Sequence, residues 1–179
     1  MPTKTFEECP KLDVICVPGG GVGQVEVMKD IEVLSFLKQQ GETAQCVTSV
    51  CTGSMILAAA GLLQGYKATC YWAFRDQLSM LGVEVVPERI IIDRNRVTGA
   101  GVTSGIDFGL VIVGLLCGES MAKMTQLMLE YNPKPPHNAG TPEAAGEEIV
   151  QPLLGFGSPL IEAFRAQTKE TAIQLGITV

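Results

Sequence analysis

The sequence predicts an α/β domain with a mainly parallel sheet, and three observations predict it. First, two near-continuous apolar runs, Leu12-Asp13-Val14-Ile15-Cys16-Val17 and Gln45-Cys46-Val47-Thr48-Ser49-Val50, have the composition of strands covered on both faces. Second, strand-like runs alternate with helix-forming stretches along the chain. Third, glycine-bearing turns stand just beyond strands, at residues 18–23, at Thr52-Gly53 and at residues 99–105. The carboxyl ends of strands in such sheets are where ligands bind.

Residues 1–10 are polar and read as irregular, and the first strand ends at Val17. Pro18-Gly19-Gly20-Gly21-Val22-Gly23 follows, a loop that lets backbone approach a ligand closely. Its spacing does not fit G-x-G-x-x-G, and no suitable acidic residue closes a second strand, so nucleotide binding is disfavoured. The alternative is that these amides line a pocket around a cysteine. Residues 31–40 form an amphipathic helix with Ile31, Leu34 and Leu37 on one face and Gly41 just past its end. The second strand comes next, and a helix is expected over 54–63.

Residues 67–70 read as a short strand, and 72–81 as a helix closed by Gly82. Residues 83–86 and 89–92 are strand-like, and 93–96 is a hairpin turn. Two helices are expected over 106–116 and 120–129. Residues 131–142 hold four of the ten prolines and read as extended. A helix over 147–154 is expected to break at Gly155-Phe156-Gly157-Ser158-Pro159, before a final helix over 160–175.

The totals bound the function. A chain of 179 residues suffices for one domain with a sizeable core, here 1–179 with C-terminal helices over 147–179. It is 46% hydrophobic and 18% charged, which implies a large core, a buried oligomer interface, or both. The net charge of −6 argues against a nucleic-acid partner. No apolar run reaches membrane-spanning length and no signal-peptide segment is visible, so a cytoplasmic protein is expected. None of the six cysteines forms a C-x-x-C pair, which disfavours zinc. The single histidine, His137, excludes mechanisms that need two and reads as a surface residue in a proline-rich loop.

The chemistry centres on Cys51. It closes the second strand, with only Thr52-Gly53 to turn into the next helix. This is the cysteine form of a nucleophile elbow, Ser-Val-Cys-Thr-Gly-Ser. Unpaired amides and the positive end of the helix dipole favour a thiolate there, which predicts a pKa below the ordinary thiol value. The competing reading is a small core hydrophobe. The convergence of three loops at strand ends favours catalysis. Cys16, Cys46, Cys70 and Cys117 sit in apolar strands or helices and read as inert. Glu26 and Asp30 read as helix N-terminal acids, Asp107 as a buried cap, and Trp72 as a core aromatic at a helix start.

These motifs resemble the ThiJ/PfpI family, which has the class I glutamine amidotransferase-like fold. The matching runs include 12–20, Val47-Thr48-Ser49-Val50-Cys51-Thr52-Gly53-Ser54, 59–65, Thr98-Gly99 and Gly105-Ile106-Asp107-Phe108. The stretch 47–65 with the Gly-Ile-Asp-Phe segment narrows the likeness to the isocyanide hydratase branch. The resemblance implies a flavodoxin-like three-layer sandwich, a homodimer, and no metal or organic cofactor. It assigns the nucleophile to Cys51 with Thr52 beside it, and places Gly19, Gly20 and Val102 as oxyanion or pocket backbone. The implied reaction hydrates an isocyanide to an N-substituted formamide. Cys51 attacks the terminal carbon, nitrogen is protonated to give a thioimidate, and water releases the product.

Three departures from the family pattern matter. The family chain begins about fifty residues before Met1, and the part without a counterpart here carries a first βα unit with an acidic residue that touches the cysteine. That strand lies inside the family sheet, so a gap is expected. Thr52 and Tyr71 stand where some relatives have histidine, which disfavours a Cys-His dyad. Ala100 replaces a glycine. The alternatives are a hydrolase or glyoxalase acting on reactive aldehydes or peptides, or a sensor in which Cys51 is a redox switch.

Overall fold

The structure, a computed structural model, describes residues 3–178. Met1, Pro2 and Val179, part of the predicted N-terminal stretch and of the last segment, lie outside the described residues. In chain order the first half comprises β1 (Val14–Val17), α1 (Gly23–Val27), α2 (Ile31–Gly41), β2 (Cys46–Val50) and α3 (Gly53–Ala59). Then come β3 (Lys67–Ala68), a 3-10 turn (Trp72–Phe74), α4 (Arg75–Ser79), β4 (Glu84–Val85), β5 (Ile90–Asp93) and β6 (Arg96–Gly99). The remainder is helical: α5 (Ser104–Cys117), α6 (Glu119–Met128), α7 (Pro142–Ala145) and α8 (Glu147–Gln174).

The main sheet has the order β1-β2-β6-β5. β1 pairs with β2 and β2 with β6 in parallel, while β5 and β6 form the antiparallel hairpin. β3 and β4 make a separate two-stranded pair. This is the mixed, mainly parallel sheet flanked by helices that the apolar runs predict. The central strand β2 is buried from Cys46 to Ser49, which is why its sequence shows no polar face. Its hydroxyls find partners: Thr48 Oγ1 donates to Ile15 O at 2.7 Å, and Ser49 Oγ meets Ser54 Oγ at 2.8 Å.

The core forms around α3, which is buried along its whole length. α8 closes the core with Phe164, Thr168, Thr171 and Ala172, and Phe164 packs on Phe74 at 4.8 Å between ring centroids. α5 lies on β6, β2 and β5 and carries α6, in which no residue is buried.

Five expectations change. The break at 155–159 is absent, and α8 runs unbroken through Pro152 and Pro159. Pro159 removes one helical hydrogen bond, and the carbonyl that its ring crowds is that of Gly155. Burial of the downstream face outweighs that loss. The helix over 54–63 ends at Ala59, and the one over 72–81 divides into a 3-10 turn and α4. Gly41 ends α2 rather than following it, and a Cβ there would lie 2.5 Å from Leu62 Cδ2, so close packing selects the glycine. The sheet has no internal gap: β1 is its edge strand. Cys16 and Cys117 lie in β1 and α5, as read, with exposed side chains.

Candidate active site

Cys51 sits between β2 and α3 with φ of 61°, a left-handed conformation that costs a side-chain-bearing residue energy and persists only when its surroundings impose it. The surroundings are specific. The Cys51 N–H donates to Gly99 O at 3.0 Å, tying the elbow to the end of β6. The Thr52 hydroxyl donates to Gly20 O at 3.0 Å and accepts from Gly20 N–H at 2.9 Å, tying it to the glycine loop. A Cβ on Gly53 would lie 2.1 Å from Val17 O, so only glycine lets α3 start this close to the end of β1. A Cβ on Gly19 would lie 2.6 Å from Cys51 Cβ and 3.0 Å from its Sγ, so the loop backbone lies directly against the thiol.

The three predicted loops therefore converge. Two details differ from expectation. The Gly20 N–H is taken by Thr52 Oγ1 rather than open to the pocket. And the Cys51 thiol is pushed up, not down: half-burial at the elbow disfavours the thiolate, and hydrogen bonds from the Thr52 backbone and hydroxyl recover only part of that. No arginine, lysine or histidine contributes to lowering it. Its neighbour Cys70 is fully buried, and burial pushes that thiol up strongly; it feels both Arg75 and Cys51.

The remaining sequence candidates separate into structural roles. Glu26 pairs with Lys29 at 2.9 Å, and Asp30 caps α2 through the Glu32 and Val33 N–H groups, as the reading of both as helix acids implies. Asp107 does not cap α5. Its Oδ2 accepts from Arg89 Nε at 2.6 Å and from the Tyr131 hydroxyl at 3.1 Å, joining three segments. His137 is exposed. Trp72 is only half-buried and borders a cavity of about 340 Å³ with Tyr71, Arg75, Pro87, Val102 and Thr141. Val102 and Ala100 line the same cavity, whose wall begins one residue past the Gly99 carbonyl that holds Cys51. Cys51 itself stands outside that lining. Arg75 escaped the sequence reading because nothing local distinguishes it from a surface helix arginine. Among the described residues no cluster of His, Cys, Asp or Glu suits a metal ion, and no helix is long and apolar enough to cross a membrane.

The family model of the DJ-1/PfpI proteins matches residues 1–115. The chain belongs to the DJ-1/PfpI family. An isonitrile hydratase of Pseudomonas putida is 46% identical over 177 residues, which cover 98% of this chain and 77% of that protein. A crystal structure of a ThiJ/PfpI protein from Pseudomonas syringae superposes with a TM-score of 0.89 at 43% identity, covering 93% of this chain and 69% of that one. An HTH-type transcriptional regulator, GbdR, of Pseudomonas aeruginosa is 32% identical over 132 residues, covering 73% of this chain and 35% of the regulator. The DJ-1/PfpI fold thus accommodates both an enzyme and a module of a regulator among these relatives. The elbow geometry described above is what this member of the family offers as chemistry.

Proposed function

We propose that the protein hydrates isocyanides to N-substituted formamides, with Cys51 as nucleophile. The observation that carries the reading is the strained, buttressed Cys51 elbow in a chain 46% identical to an isonitrile hydratase over nearly its whole length. Atom balance refines the expected route. The Cys51 sulfur bonds to the terminal carbon of R–N≡C, and the thiol's proton ends on that carbon, not on nitrogen, giving R–N=CH–S. Water then adds to the same carbon while nitrogen takes a proton. The C–S bond breaks, the thiol recovers its proton, and R–NH–CHO leaves. The Cys51 thiol itself supplies the proton that the first step requires. Thr52 fixes the elbow through its two hydrogen bonds with Gly20, and the missing side chain at Gly19 lets the glycine loop lie directly against the thiol. Val102 and the Gly99-to-Val102 turn form the approach to the cavity.

The partner is a small molecule. A homodimer fits the unpartnered face of α6, where Met124, Leu127 and Met128 are exposed beside Leu115 and Leu116 of α5. The test is formamide production from cyclohexyl isocyanide, followed by NMR. Turnover by the wild type and none by Cys51→Ala supports the reading. No turnover, or turnover that survives Cys51→Ala, overturns it. Turnover of methylglyoxal in place of the isocyanide would favour the alternative of chemistry on reactive aldehydes.

A further inference from the structure

Two arginines border the cavity beside the elbow, and they differ in one respect. Arg89 is occupied: its guanidinium holds Asp107 and the Thr103 carbonyl. Arg75 makes no hydrogen bond or ion pair among the described residues, and its Nε is buried without a partner. A half-buried guanidinium that lines a cavity and has no protein partner for its charge is free to take an anion from that cavity. The nearby acids do not neutralise it. Glu143, in the first turn of α7, feels the charge of Arg75 but forms no ion pair with it among the described residues. Arg75 also borders a second, more open cavity, where Asp76 and Glu162 are both paired with Arg165.

We propose that the cavity beside Cys51 is an anion subsite and that the substrates it selects are isocyanides bearing a carboxylate. This rests on the hydration reading above. The Arg75 guanidinium takes the carboxylate in a forked pair of hydrogen bonds. Tyr71, Trp72, Pro87 and Val102 take the carbon skeleton. One free guanidinium matches one negative charge, which favours a carboxylate over a phosphate ester. The cavity's position also fits: Ala100 and Gly101 line it, directly after the Gly99 carbonyl that anchors Cys51.

Two readouts test this. The first is the ratio of kcat/KM for 4-isocyanobutanoate over the neutral pentyl isocyanide. The wild-type ratio is expected to exceed one, to fall about 10–100-fold in Arg75→Gln, and to recover in part in Arg75→Lys, which keeps the charge. The second needs no turnover. Trp72 is the sole tryptophan and borders the cavity, so its fluorescence reports occupancy. Titration with 4-formamidobutanoate should give a saturable change that N-pentylformamide does not give, weakened by the same factor in Arg75→Gln. Selective titration without turnover of either isocyanide would keep the subsite and overturn the hydration reading. Equal binding of charged and neutral formamides, or a ratio that Arg75→Gln leaves unchanged, overturns the subsite.

Discussion

Gly53→Ala tests the claim that the elbow is wedged against the end of β1. The Cβ that alanine adds would lie 2.1 Å from Val17 O and 2.9 Å from both Val17 C and Pro18 O. All three are backbone atoms, so no side chain can swing aside. Relief needs a separation of about 1 Å between the start of α3 and β1, since carbon and oxygen in van der Waals contact stand beyond 3 Å. β1 is hydrogen-bonded to β2, and Thr52 is bonded to Gly20, so the displacement strains both. Forcing a methyl into a packed site costs about 1–3 kcal/mol, and a rigid backbone neighbour puts this case at about 3 kcal/mol or above. For a domain of this size that lowers Tm by about 6–12 °C. Differential scanning calorimetry and urea titration measure it, with iodoacetamide mapping of Cys51 as a local readout. Gly109→Ala is the control: Gly109 lies inside α5 with no atom near an added Cβ, and alanine there should stabilise by about 0.5–1 kcal/mol. If Gly53→Ala melts within a degree of wild type and labels Cys51 at the same rate, the wedge does not exist.

The other expectations follow from the thiols and the helical surface. Because burial pushes Cys51 up, its alkylation rate should climb about tenfold per pH unit through the neutral range, without levelling before pH 9; a plateau near pH 7 would show a low-pKa thiolate instead. The exposed Cys16 and Cys117 should label at least as fast as Cys51 at pH 7, which peptide mass mapping would show. Cys70 stays a thiol in the folded protein but ionises near pH 8.5 when unfolded, so its contribution to stability is complete below that pH and declines above it. Unfolding free energies from urea melts should fall between pH 8.5 and 10, by up to about 1.4 kcal/mol per pH unit for this group, and Cys70→Ala should flatten that slope. Light scattering at micromolar concentration should give twice 19.1 kDa, and Leu127→Glu with Met128→Lys should shift the mass toward one chain; a wild-type monomer would refute the assignment of the α6 face.

What the chain declares on its own is local. The apolar runs at Leu12 to Val17 and Gln45 to Val50 both mark strands, but only the second is buried; β1 is an edge strand, with Ile15 buried and Cys16 exposed. Cys51 stands out because a strand followed by two turn residues and a helix leaves one geometry for the last side chain, and the structure places it there at φ 61°. The hairpin at 93–96 and the glycine loop at 18–23 were legible for the same reason: turn chemistry acts over two to four residues. Tertiary packing decided the rest, through neighbours that are far apart in sequence. Whether Gly155 and Pro159 break a helix depends on how firmly Phe164, Thr168 and Thr171 are buried, and that burial holds α8 in one piece. The direction of the Cys51 pKa depends on how much protein surrounds the sulfur, and desolvation at the elbow overrides the local pull of the α3 N-terminus. The free Arg75 and the occupied Arg89 look alike in the sequence. Only the fold brings Asp107 to one of them, from 18 residues away, and leaves the other facing a cavity.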